Sequence, residues 1–124
     1  VYNMCTFDLL EPMNASSAHV PASVDEMAAA GLEAGECMQV KPPRVKNSPI
    51  ALECKVLQIL DLPPTRNDVP NTTVIGQVVG IHVDDDVIVD GKIDAAKMQP
   101  LARLGYLDYA KITADTIFTV PRPD

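Results

Sequence analysis

The chain is poor in basic residues, has no long apolar run and offers no paired cysteines. Ten Lys and Arg stand against seventeen Asp and Glu, a formal net charge of −7 over 124 residues. A nucleic-acid binder needs a basic face to meet phosphates, so that class is excluded. The same balance works against docking on an anionic membrane. The longest apolar patch on a helical pattern, residues 27–32, falls far short of the ~20 residues of a membrane span. No basic segment followed by an apolar one marks a signal peptide. Cys5, Cys37 and Cys54 form no Cys-x-x-Cys pair, and an odd set argues against a disulfide framework. A reducing, cytoplasmic setting is therefore expected, where acidic charge serves solubility. Asn14 and Asn71 open Asn-x-Ser/Thr sequons, which carry no weight without secretion.

What is present suits one folded domain. Hydrophobic residues make up 47% and charged residues 22%, too apolar for a disordered chain and enough for a core. Residues 1–4 read as the end of a strand. Thr6 is placed to cap a short turn through Leu10. Pro12 then interrupts, or opens a second turn over 13–17. Ser23-Val24-Asp25-Glu26 is a capping box, and the helix it starts, 24–30, ends at Gly31. Lys41-Pro42-Pro43-Arg44 lacks two backbone donors and must be an extended crossing segment. Apolar alternation over 50–60 and 72–83 predicts two long antiparallel strands joined by a proline-rich loop at 61–71. On the first, Ile50, Leu52, Cys54 and Val56 share one face, Glu53 and Lys55 the other. Asp90-Gly91 signals a tight turn. Asp94 caps a helix over 95–99 that Pro100 redirects, Gly105 ends a later turn, and 116–120 reads as a last strand. The fold class expected is mostly β with short helices, a barrel-like α+β domain.

Several positions could carry chemistry. Strict alternation places Val74, Gly76, Val78, Gly80 and His82 on one face of the second long strand. Two glycines there make room for a ligand or for another backbone, with His82 as a donor at the end of the stripe. Tight packing against a neighbouring strand or subunit, with His82 merely polar at the strand end, is the alternative and the more ordinary reading. Asp84-Asp85-Asp86 fails as a calcium loop, because Ile88 and Val89 stand at the fifth and sixth positions. His19 and His82 lack partners at zinc-ligand spacing, so no metal is expected. Asn14, Ser16 and Ser17 form a small polar cluster that either caps a turn or binds a phosphate. Arg103-Leu104-Gly105-Tyr106, followed by Tyr109, offers a cation for a phosphate and aromatics for a ring. An ordinary surface Arg beside half-buried tyrosines is the alternative. No G-x-S-x-G elbow, G-x-G-x-x-G turn or Walker loop occurs.

The order of these pieces resembles the flavin reductase-like family. Its successive blocks are similar to Met13-Asn14-Ala15-Ser16-Ser17, to Val24-Asp25-Glu26-Met27 with Ala30-Gly31-Leu32, and to Val40-Lys41-Pro42-Pro43-Arg44-Val45. Three further blocks are similar to Ser48-Pro49-Ile50-Ala51-Leu52-Glu53-Cys54, to Ile75-Gly76-Gln77-Val78-Val79-Gly80-Ile81-His82-Val83-Asp84-Asp85, and to Pro100-Leu101-Ala102-Arg103-Leu104-Gly105. The resemblance implies a split, Greek-key β-barrel that binds FMN and forms homodimers. It implies that residues 1–124 are the C-terminal portion of a single domain, whose upstream strands and Ser/Thr-rich phosphate turns precede Val1. Pro12 and Tyr106 depart from the family pattern. By resemblance, Asn14, Ala15, Ser16, Ser17, His82, Arg103, Tyr106 and Tyr109 approach the flavin, and no side chain need act as nucleophile or base. The function implied is an oxidoreductase passing hydride or electrons between NAD(P)H and flavin. A non-catalytic flavin- or haem-binding electron carrier on the same barrel is the alternative.

Overall fold

The computed structural model describes residues 1–64 and 70–123. Its strands are β1 (Tyr2–Asn3), β2 (Ala34–Gly35), β3 (Arg44–Val45), β4 (Ile50–Leu62), β5 (Asn71–Val83), β6 (Ile88–Val89), β7 (Lys92–Ile93), β8 (Leu101–Gly105) and β9 (Asp108–Lys111). Short helices α1 (Leu10–Ala15), α2 (Glu26–Ala29) and α3 (Ala95–Met98) lie between them. The expected class, mostly strand with short helices, is the one observed.

The two long apolar alternations become β4 and β5, antiparallel over their whole length, and β1 adds to the inner end of β4. Their connection spans 63–70, and its middle, part of the loop expected at 61–71, lies outside the described residues. The ladder is irregular at two places. Glu53 opposes Gly80 but Cys54 opposes Val78, leaving Val79 extra on β5; Val56 opposes Gly76 but Gln58 opposes Ile75, leaving Leu57 extra on β4. Each extra residue reverses the alternation beyond it. The single stripe expected on β5 is therefore split. Gly80 and His82 share a face with Glu53 and Ala51, while Val74, Gly76 and Val78 lie on the face of Cys54 and Val56.

The buried apolar set is small: Leu9, Ala51, Val87 and Met98, together with the polar Thr6, Ser48 and Glu53. It sits at the inner end of the hairpin. There the Asn3 side chain accepts from Val45 N at 2.8 Å, and the Ser48 hydroxyl lies 2.9 Å from the Met4 carbonyl. The outer half of the hairpin leaves its apolar side chains open, with Val56, Leu57 and Ile59 each more than 60% exposed. A bridge between Thr6 and Pro100, flanked by Leu101 N donating to Cys5 O and Phe7 N to Gln99 O, ties the first residues to β8.

Local details correct the sequence reading. Helix α2 is shorter than 24–30, and its cap is Asp25, not Ser23. The Asp25 carboxylate accepts from Met27 N and Ala28 N, so the helix starts one residue after the stronger acceptor. Gly31, with φ 70°, ends that turn as expected. Pro12 does not interrupt. It lies in the first turn of α1, where a missing N–H costs no intrahelical bond. Thr6 stands before the 3₁₀ turn Phe7–Leu9 without capping it through its side chain. Asp90 and Gly91 both have positive φ, the tight hairpin turn expected between β6 and β7. Asp94 caps α3 by accepting from Lys97 N, and Gln99 at φ 50° ends it. Gly105 ends β8 and leads into the β8–β9 hairpin turn, so it precedes a turn and does not end one. Residues 116–120 form no strand. A reciprocal cap between Thr113 and Thr116 draws the start of the segment into the 3₁₀ turn Ala114–Thr116, and residues 117–120 enter no ladder among the described residues.

Candidate functional site

Glu53 interrupts the apolar run of β4, and its side chain is wholly buried. Three consecutive backbone N–H groups of the segment before β3 converge on it. Met38 N donates to Oε1 at 2.7 Å, and Gln39 N and Val40 N to Oε2 at 2.5 and 3.1 Å. From β5, His82 Nε2 lies 2.5 Å from Oε1. Burial alone would raise this carboxyl's pKa; the hydrogen bonds from Met38, Gln39, His82 and Val40 outweigh it and hold the group at about 2. An ionised carboxylate only accepts, so the proton in the His82 contact sits on Nε2. Gly80 is what allows this arrangement. A Cβ there would stand 3.2 Å from the Glu53 carboxyl carbon and 3.3 Å from Oε1. A Cβ at Gly76 would come within 3.0 Å of Cys54 Cβ. Both glycines thus make room for side chains of the paired strand, so of the open readings the packing one describes them.

Cys37 borders the same cluster. One ligand-type atom from each of Cys37, Glu53 and His82 lies within 4.8 Å of the others. Sequence spacing could not reveal this grouping, because the three residues come from a loop, β4 and β5. An acid inside an apolar run, opposite a glycine on the paired strand, was the available signal.

The remaining predicted residues gather elsewhere. Asn14 and Ala15 end α1, with Ser16 and Ser17 directly after them. The Ser16 hydroxyl donates to Met13 O at 2.8 Å and that of Ser17 to Asn14 O at 2.7 Å, so both cap the helix end. Hairpin β8–β9 is joined to this end by the Tyr109 hydroxyl, 3.9 Å from Met13 Sδ. On the hairpin, the Arg103 guanidinium lies over the Tyr109 ring, 4.6 Å from its centroid, and donates to the Tyr106 carbonyl. Tyr106 is not half-buried: with φ 47° in the turn, it is 96% exposed. The structure thus brings together α1's end, Arg103 and Tyr109, and gives His82 a different partner.

Among the described residues, the cavities beside these side chains are small for an enclosing flavin pocket. Small-molecule pockets span roughly 300–1,000 Å³. The cavity beside Met13 and Ser16 is about 130 Å³, and the one beside Ala15 and Ser16 about 190 Å³. A larger cavity of about 360 Å³ is lined by Asp8, Asp84 and Lys97 and includes none of the predicted residues. Two carboxylates there oppose an anionic ligand. Arg103 stacked on Tyr109 does suit an anionic aromatic group, as one open wall of a site.

Residues 3–102 match the flavin reductase like domain. An uncharacterised protein of Halalkalibacterium halodurans is 32% identical over 114 residues, which are 92% of this chain and 54% of that one. Among solved structures, nitrilotriacetate monooxygenase component B from Bacillus cereus superposes with a TM-score of 0.83 at 28% identity, covering 95% of this chain and 57% of that one. A candidate flavin reductase with a split barrel domain from Shewanella frigidimarina superposes at 0.78 and 25% identity, covering 98% and 59%. The fold is of this split-barrel type. The chain spans little more than half the length of each of these proteins.

Proposed function

Since the chain belongs to the flavin reductase-like family, we propose that it is the C-terminal portion of an FMN-binding oxidoreductase domain, working between NAD(P)H and flavin as a cytoplasmic homodimer. The observation that carries this reading is the joining of hairpin β8–β9 to the end of α1 through Tyr109 and Met13, within a family of flavin chemistry. When bound, FMN would supply the hydride and electron chemistry itself. The chain's own groups bind and orient. Arg103, exposed and held over Tyr109, attracts negative charge on a ligand, and the guanidinium–phenol stack offers its open side to a planar ring. Ser16 and Ser17 direct their protons to carbonyls, so they meet a ligand as acceptors. Asn14 and Tyr106 are exposed beside these groups and complete the wall with Ala15.

The test is NAD(P)H oxidation followed by absorbance, with and without added FMN. Turnover that depends on FMN supports an enzyme. Flavin bound without turnover supports the electron-carrier alternative. An Arg103→Ala variant is expected to weaken FMN binding about tenfold, a change of ~1.4 kcal/mol, with kcat less affected. Unchanged affinity would remove Arg103 from the site.

A further inference from the structure

The cluster behind Gly80 contains more than the fold requires. Three backbone N–H groups already satisfy most of the Glu53 carboxylate, and one hydrogen bond from His82 completes it. Cys37 brings a thiol to the same point, yet its sulfur enters no hydrogen bond among the described residues. A thiol, an imidazole and a carboxylate converging on one volume are a donor set for a divalent transition metal. We propose that Cys37, Glu53 and His82 form a mononuclear site for such an ion, of the Zn²⁺ class, with its fourth position open to solvent. The proposal is independent of the flavin reading.

Four features of the site support it. First, charge balances: a thiolate and a carboxylate neutralise a dication, and the imidazole stays neutral. Second, the carboxylate is already oriented, because Gln39 N and Val40 N fix Oε2 while Oε1 faces His82. Third, the distances are near those needed. Ligands of one tetrahedral zinc stand about 3.3–3.7 Å apart, so the 2.5 Å His82–Glu53 contact must open by about 1 Å. His82, at the end of β5 and 19% exposed, can swing outward to do so. The ion then takes the place of the proton between Nε2 and Oε1, and that proton moves to Nδ1. Fourth, an entry path exists: a cavity of about 270 Å³ is lined by Cys37 together with Gly35, Glu36, Val40 and Lys41.

Metal-free protein titrated with Co²⁺ is expected to bind one ion and to show a near-ultraviolet thiolate-to-cobalt charge-transfer band. Binding of either ion to the metal-free protein should release about one proton, that of the Cys37 thiol, and Zn²⁺ should then displace Co²⁺ with loss of the band. Cys37→Ser should lose the band while keeping the metal-free melting temperature, since the thiol makes no hydrogen bond. His82→Gln retains a donor for Glu53 but removes a ligand, and is expected to bind Zn²⁺ at least about tenfold more weakly. Cys54→Ser, on the opposite face of β4, should keep the band. No band in the wild type, or a band lost with Cys54→Ser and kept with Cys37→Ser, would overturn the proposal.

Discussion

Glu53 is closed off from solvent and stays charged, because backbone donors from another segment replace the water it lost. That has a pH consequence. Its pKa in the folded state, about 2, lies below the ordinary 4.5. A depressed carboxyl stabilises the fold above its unfolded value and loses that contribution as pH falls through the folded one. The melting temperature is therefore expected to fall between pH 4.5 and about 2, and to fall less steeply in Glu53→Gln. Equal slopes in the two proteins would deny Glu53 this role. The glycine opposite is just as exposed to test. In Gly80→Val the added carbons enter the space of the Glu53 carboxyl, an overpacking expected to cost about 1–3 kcal/mol in denaturant unfolding. Wild-type stability in that variant would show that the carboxylate has room to move. The acid in the apolar run was visible in the sequence. Its three backbone donors were not, since backbone N–H groups carry no side-chain signature, and the shift at Val79 hid that His82 faces it.

At the scale of elements, periodicity identified β4 and β5, and Asp-Gly and Asp-led starts identified the β6–β7 turn and α3. What periodicity could not carry was parity. One extra residue, Val79, moved Gly80 and His82 away from Gly76, and Val79 looks like any other apolar residue of the run. The β8–β9 hairpin escaped for a related reason: its bend uses Tyr106 at positive φ, where sequence rules expect Gly or Asn. The outer half of β4–β5 has open apolar side chains and an unpaired β5 edge among the described residues. Such an edge invites strand addition or docking. If a second copy covers it, Ile59→Lys should shift sedimentation toward the monomer, because a buried unpaired ammonium is costly. An unchanged distribution would place any dimer contact elsewhere.

For the molecule as a whole, the small buried set and the open wall at α1 and β8–β9 would leave the proposed flavin half surrounded. FMN fluorescence titration is expected to show roughly tenfold or more gain in affinity when the chain is extended upstream toward its relatives' length. Equal affinity for residues 1–124 alone would mean that the wall described suffices. The bridge from Thr6 to Pro100 bears on a different matter, the order of folding. The β4–β5 and β6–β7 hairpins close short loops, whereas this bridge joins positions nearly a hundred residues apart and gains little until the segments between are in place. It should form late, after the rate-limiting barrier, so that mutations at Phe7 or Leu101 quicken unfolding and leave the refolding rate nearly unchanged.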